Sequence, residues 1–398
     1  MKDFLRNDPA TRLRDAAAAL APRLTAIRRD LHAHPELAFQ ETRTAGIVAA
    51  ELARLGIPHR TGVGRTGVVG IIEGGLPGPT LALRADMDAL PIAEETGLPY
   101  ASTVPGLMHA CGHDIHTVTL LGAAEVLKEL APQLSGRVVL LFQPAEETLE
   151  GAAAMIADGA AEGLDMAVGF HNHPDMPVGR FGFVRGPCLA ASDLFDLELR
   201  GKSGHAAHPY AAVDPIVAAA HFVTQAQTVV SREVPPLQPA VVTVAQSSGG
   251  TTYNIIPERV QLKGTVRTLH AEARDIAEAA LRRLVAGIET GMRVTATLRY
   301  RRMISALVND DTVLNPAVSA LSAQFGAAAV KEGEPSMGSE DFAAFAERVP
   351  AFQFQIGSSA PGRKDRLHNS DYQPDEGCIP AGVEALSRIA LDLLSSRA

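Results

Sequence analysis

Cysteine is scarce. Only three occur in 398 residues, at positions 111, 188 and 378. An odd number so widely spaced argues against a disulfide framework and points to a reducing cytoplasm. No apolar run approaches the roughly 18 residues that a membrane helix needs, so no membrane partner is expected. Lys/Arg-rich runs are missing too, and 45 acidic against 36 basic residues give a formal charge of −9. Nucleic acid is therefore not an expected partner. The opening Met1 to Asp8 carries acids and no long apolar core, which does not read as a secretory signal. There is no internal repeat, and Val234 to Pro239 reads as a short stiff loop, not a low-complexity linker.

What is present fits a folded globular chain, with 46% apolar and 20% charged residues. The length exceeds one ordinary core, so two domains are expected. Leu13, Ala17, Leu20, Leu24, Ile27 and Leu31 recur at helical spacing, and Thr42 to Leu55 forms a second helical stretch closed by Gly56 and Pro58. Val68–Glu73 and Thr80–Arg84 read as strands, with Gly74 to Pro79 as the turn between them. A helix over Ile115–Leu130, a strand over Arg137–Phe142, a helix over Gly151–Asp158 and a strand over Ala167–Phe170 follow. Strands alternating with helices imply an α/β class with a covered sheet.

The pattern changes near Pro187. Asp193–Arg200, Ala240–Gln246, Arg259–Thr268 and Arg293–Tyr300 read as strands, with helices over Val213–Val230 and Glu272–Glu289. That order is β-α-β-β-α-β, the ferredoxin-like split βαβ plan. Helices over Thr312–Phe325, Phe342–Ala346 and Ala381–Ser396, with a strand over Ala351–Ile356, then resume the α/β character. The expected organisation is an α/β domain in two pieces, 1–186 and 302–398, with a smaller domain inserted at 187–301.

The chemistry gathers around Met108-His109-Ala110-Cys111-Gly112-His113-Asp114-Ile115-His116. Cys111 and His113 are two apart, and an extended segment would point both the same way. Thiolate and imidazole suit zinc, and imidazole also suits manganese, cobalt or nickel. Other polar clusters follow expected strands: Asp86 and Asp88, Glu146-Glu147, His171-Asn172-His173-Pro174, and His368. Sites in open α/β sheets form outside the carboxyl ends of strands. The pooled ligands are Cys111, His113, one of the two glutamates, His171 and His368. They are too many for one tetrahedral zinc and suit two neighbouring ions. Adjacent glutamates on an irregular segment point different ways, so one can bind metal while the other faces the attacking water. Taken singly, each cluster has a plainer reading: a solvated Glu pair at a helix N-terminus, loop histidines, capping aspartates, a small buried cysteine. So many coincidences at strand ends are improbable jointly.

Leu83-Arg84-Ala85-Asp86-Met87-Asp88-Ala89-Leu90-Pro91, Met108 to Asp114, Gln143-Pro144-Ala145-Glu146-Glu147, Gly338-Ser339-Glu340-Asp341-Phe342 and Arg28 to Leu37 resemble the aminoacylase/carboxypeptidase-G metallohydrolase family nearly end to end. The likeness is greater to its branch of hippurate hydrolases, N-acyl-amino-acid amidohydrolases and plant auxin-conjugate hydrolases. The resemblance implies two divalent ions, zinc, manganese, cobalt or nickel, held by Cys111, His113, Glu147, His171 and His368, with Cys111 as the bridge. It implies Glu146 as general acid/base, and Asp88 is expected to orient a ligand. Residues 187–301 become a lid through which subunits pair as a homodimer or higher homo-oligomer. His205, in Gly201 to Pro209, then reaches the partner's site to stabilise an oxyanion. Asn254, Arg267 and Ser339 hold substrate, Arg267 as a fork for a carboxylate. The implied reaction hydrolyses a small N-acyl amino acid; a dipeptidase or carboxypeptidase activity is the alternative. The peptidase branches place His-x-Asp where this chain has Asp86-Met87-Asp88, and Asp where it has Cys111. Asp86 is left without a definite role, His173 is a second candidate ranked below His171, and His116 and His208 are either metal ligands or polar neighbours of the site.

Overall fold

The computed structural model describes residues 9–395. The residues read above for a leader, Met1 to Asp8, and Ser396 at the end of the expected closing helix lie outside them. Two compact units result. The first takes the described residues up to Gly186, with Val308–Glu334 and those from Ala344 onward; the second is Pro187–Leu307 with Pro335–Ala343. The strand expected to stop at Tyr300 runs on as Thr295–Ile304. The excursion at 335–343 joins the second unit through backbone bonds from Ser336 N to the Cys188 carbonyl (2.9 Å) and from Ala190 N to the Gly338 carbonyl (2.7 Å).

The first unit is built on an eight-stranded sheet. Its order is His59–Val63, Gly67–Glu73, Ser135–Gln143, Leu76–Asp86, Met166–Pro177, Ala351–Ser359, Phe181–Phe183, Val330–Glu332. The four central strands, from Ser135–Gln143 to Ala351–Ser359, are mutually parallel. Their carboxyl ends therefore share one edge. Parallel strands need both faces covered, and these are continuous apolar runs such as Leu81-Ala82-Leu83 and Val138-Val139-Leu140-Leu141-Phe142, all buried. Helices Pro9–Ala33, His113–Leu130 and Cys378–Leu393 pack together in this core through Leu24, Leu31, Leu121 and Val383. Each fully buried side chain of that kind contributes about 1.5–3 kcal/mol. Gly122 lets these helices close up: a Cβ there would lie 2.5 Å from Val383 and 2.6 Å from Leu24.

Two strands are longer than the sequence suggests. Leu76–Asp86 begins inside the expected turn, because Leu76 pairs with Ser135 before the register shifts at Thr80. Met166–Pro177 continues past Phe170, because its pairing with Ala351–Ser359 runs on through His171↔Gln355 and His173↔Gly357. His171 and Asn172 thus lie within a strand, not in a loop after it. His59–Val63 escapes sequence reading because it is a polar, mostly exposed edge strand.

The second unit carries an antiparallel four-stranded sheet, in the order Ala240–Gly249, Arg259–Thr268, Ala191–Arg200, Thr295–Ile304. Helices Pro215–Thr228 and Ala271–Met292 pack on it around Phe195, Phe222, Leu262, Ala277 and Leu281. The element order is β-α-β-β-α-β. Asp214 caps the first helix, its carboxylate accepting from Ile216 N at 2.9 Å, with Pro215 at the first helical position. Among the described residues no helix is long and apolar enough to cross a membrane.

Candidate metal centre

Four segments of the first unit meet at the shared edge of its parallel strands. The first ends Leu76–Asp86 and runs to Asp88. The second holds Cys111 and His113, and the third Glu146 and Glu147. The fourth is His171, in Met166–Pro177. His368, from the loop after Ala351–Ser359, joins them. Cys111, His113 and His171 bring donor atoms within 4.8 Å of one another, and so do Cys111, Glu147 and His368. Cys111 belongs to both groups. Its Sγ lies 3.5 Å from His171 Nε2, and Glu147 Oε1 lies 3.2 Å from His368 Nε2.

The backbone that achieves this is not extended. Gly112 takes φ +88°, and helix His113–Leu130 begins immediately after it. The turn, and not strand alternation, brings Cys111 and His113 to the same place. Ala145 (φ 53°) and His368 (φ 63°) are left-handed without being glycine. Such residues cost about 1–3 kcal/mol each and persist where the surroundings over-determine them.

Hydrogen bonds select the nitrogen that each histidine offers. His113 Nδ1 donates to the Asp88 carbonyl at 2.8 Å, and His171 Nδ1 donates to the Asn172 carbonyl at 2.7 Å. Both rings therefore turn Nε2 to the cluster, the arrangement that metal-ligating histidines use. Among the described residues the buried His113 Nε2 has no hydrogen-bond partner. Burial pushes the His171 imidazole down to about 3, which keeps its lone pair free at neutral pH. The Cys111 and Glu147 side chains raise His368 to about 10: they ask for positive charge at this point, which a divalent cation would supply. Orphaned nitrogen, thiol, carboxylate and imidazole together fit a borderline-soft metal ion.

Asp88 organises the glutamates. Its carboxylate accepts from Glu146 N and from Glu147 N, each at 3.0 Å. The two glutamates stand equally near His113 Nε2, Glu146 Oε2 and Glu147 Oε1 both at 4.0 Å. The approach of Glu147 to His368 separates them.

Asp86 and His116 acquire partners of their own. Asn172 N donates to His116 Nε2 (3.0 Å), so the proton of that ring sits on Nδ1 and is donated to Asp86 Oδ1 (2.6 Å). The other Asp86 oxygen accepts from Arg84 Nη1 at 2.7 Å. Both nitrogens of His116 are committed. His173 Nδ1 accepts from Asp175 N at 3.3 Å and belongs to neither donor group that contains Cys111.

Behind the site, Asp114 and Arg28 form a fully buried ion pair at 2.8 Å, and His32 Nδ1 donates to the same carboxylate at 2.8 Å. Burial would raise the Asp114 carboxyl, but Arg28 and His32 hold it well below the usual carboxylate range. Asp114→Ala leaves the Arg28 charge poorly compensated and is expected to destabilise the fold by about 3 kcal/mol. Urea unfolding checks this; a loss under about 1 kcal/mol would show that Glu376, 3.2 Å from Arg28, suffices as its partner.

The remaining candidates lie in the second unit. His205 is exposed and pairs with Ile255 in a two-residue ladder. Ala206 N donates to the carbonyl of exposed Asn254 at 3.1 Å. Arg267, half-buried, donates to Ser339 Oγ, which in turn donates to the Ala190 carbonyl at 2.8 Å. His208 is exposed, its ring 5.5 Å from that of His205. The residue that sequence reasoning passes over is Asn172. It stands in His171-Asn172-His173-Pro174, between two histidines that are the more conspicuous donors.

The sequence profile of peptidase family M20/M25/M40 matches residues 82–392. An N-acetylcysteine deacetylase of Bacillus subtilis is 39% identical over 96% of this chain and 99% of its own length. Thermostable carboxypeptidase 1 of Saccharolobus solfataricus is 37% identical over 92% of this chain and 94% of its own. The crystal structure of the Bacillus subtilis YXEP protein, described as a dinuclear metal binding peptidase from the M20 family, superposes with a TM-score of 0.84 at 36% identity, covering 95% of this chain and 99% of that one. With a profile match over most of its length and relatives aligned nearly end to end, the chain belongs to peptidase family M20/M25/M40.

Proposed function

We propose that the chain is a metal-dependent amidohydrolase that cleaves N-acyl amino acids, N-acetyl or hippurate-like, to a carboxylate and a free amino acid. The observation that carries this reading is the pair of donor groups sharing Cys111, with Glu146 beside them. Cys111, His113, Glu147, His171 and His368 would hold two divalent ions, zinc, manganese, cobalt or nickel. When bound, such ions lower the pKa of water and polarise a carbonyl. Glu146 takes the proton of the attacking water and returns it to the departing amine. Asp88 holds the backbone of both glutamates and the ring of His113. Arg267, with Ser339 and Asn254, grips the carboxylate of the amino-acid half. His205 of the partner subunit donates to the oxyanion, in a homodimer or higher homo-oligomer paired through the second unit, which acts as the lid. The free, buried cysteines favour a cytoplasmic setting. The relative named for deacetylating N-acetylcysteine supports the acyl class.

The relative named as a carboxypeptidase supports a second reading, peptide hydrolysis at the same centre. A panel of N-acetyl amino acids, N-benzoyl amino acids and dipeptides, run with each of the four metals, separates the two. Higher kcat/KM for the N-acyl substrates is expected. The reverse order favours the peptidase, and no turnover of any substrate with any metal sinks both.

A further inference from the structure

Asn172 offers no atom to either donor group, yet it is buried and bonded to the segments that carry them. Its backbone N–H donates to His116 Nε2 (3.0 Å) and its carbonyl accepts from His171 Nδ1 (2.7 Å). Its side-chain Nδ2 donates to the Cys111 carbonyl (3.1 Å) and to the Tyr372 hydroxyl (2.9 Å). A backbone carbonyl can only accept, so the amide nitrogen must face Cys111; the amide orientation is settled by chemistry. The side chain also packs closely against Gly112, where a Cβ would come within 1.9 Å of Nδ2. Tyr372 follows four residues after His368, whose own N–H donates to the Ala110 carbonyl at 2.8 Å.

We infer that Asn172 is the positioning residue of the metal centre. It clasps the Cys111–Gly112 turn to the strand bearing His171, and it holds the His171 ring with Nε2 facing Cys111 Sγ. His116 and Asp86 act through it. Arg84 fixes Asp86, Asp86 fixes the proton of His116 on Nδ1, and the Nε2 lone pair of His116 then receives the Asn172 N–H. This gives His116 and Asp86 a role that requires both to be withheld from metal. Donors must be held within about 0.5 Å of productive geometry for a site to bind its ion well, and a buried amide with both hydrogens committed does that better than packing alone.

The inference rests on the metal-centre reading above, and one experiment separates the two. The chelator-treated protein and its Asn172→Leu, Tyr372→Phe and Cys111→Ser variants are titrated with cobalt(II), following bound cobalt and the near-ultraviolet thiolate-to-cobalt absorption. Asn172→Leu keeps the branching and removes the donors. It is expected to weaken cobalt binding about 10–100-fold, the usual range for partners of ligands, and to diminish the thiolate band per cobalt bound. A purely structural residue would lower the melting temperature without changing that band. Tyr372→Phe, the milder change, is expected to lose about 2–10-fold in affinity, the worth of one hydrogen bond, and it decides the matter if Asn172→Leu does not fold. Wild-type affinity and band in both variants, with the band lost in Cys111→Ser, overturns the role of Asn172 alone. Cobalt binding and absorption unchanged in Cys111→Ser overturns the metal centre and this inference with it.

Discussion

Glu146→Ala is expected to lower kcat by about 10²–10⁴-fold, the contribution of a positioned general acid–base group, while bound metal stays at the wild-type level. The pairing of these two readouts matters because the geometry leaves the glutamates nearly symmetric about His113 Nε2, at 4.0 Å each. Glu147 breaks the tie by lying 3.2 Å from His368 Nε2, a member with it and Cys111 of one donor group. Glu147→Ala should therefore lose metal, and activity only as a consequence. If the roles were exchanged, Glu146→Ala would be the variant that loses metal. Glu146→Gln tests the chemistry at constant volume: the amide can hydrogen-bond water but cannot accept its proton. Turnover within a few-fold of wild type in either Glu146 variant would remove it from the mechanism. Both substitutions leave the Glu146 N–H bond to Asp88 in place, so the chain path through Ala145 and Glu147 should survive.

The residues that gather in the first unit could be located from sequence because strand ends are easy to find and chemistry concentrates there. Buried parallel strands such as Val138–Phe142 announce themselves as apolar runs, and polar clusters directly after them stand out. What failed to show was register. The strand around His171 extends to Pro177 because it pairs with Ala351–Ser359, far along the chain, a long-range fact that local alternation does not contain. Placed within a strand, His171 and Asn172 point to opposite faces, one to the cluster and one into the Cys111 turn. The same blindness concealed the excursion at 335–343, whose attachment depends on bonds to Cys188 and Ala190. Cys111 and His113 are brought together by something other than alternation: a left-handed glycine followed by a helix start. His116 shows the limit most clearly. Its spacing from His113 suits a ligand, and only the N–H arriving from Asn172 reveals that its lone pair is taken.

His205→Ala is expected to lower kcat by about 10²–10³-fold, the usual cost of removing one oxyanion donor, with little change in metal content. The local bonding suits an oxyanion donor, because Ala207 N donates to His205 Nδ1 at 3.0 Å and the neutral ring then carries its proton on the exposed Nε2 side. Loss of activity alone does not say whose site the donor serves, but mixing does. Suppose each site of a two-fold dimer uses Glu146 of one subunit and His205 of the other. In a heterodimer of Glu146→Ala and His205→Ala chains, one site then lacks both groups and the other keeps both. Random exchange in an equal mixture makes about half the dimers heterodimers, each with one of two sites intact, so about a quarter of wild-type activity should return. If His205 served its own subunit's Glu146, every site in the mixture would lack one group and nothing would return. Recovery near a quarter in an exchange-competent mixture therefore establishes both the dimer and the reach of His205 across it, and a flat response rules out the trans arrangement while leaving the metal centre of the first unit untouched.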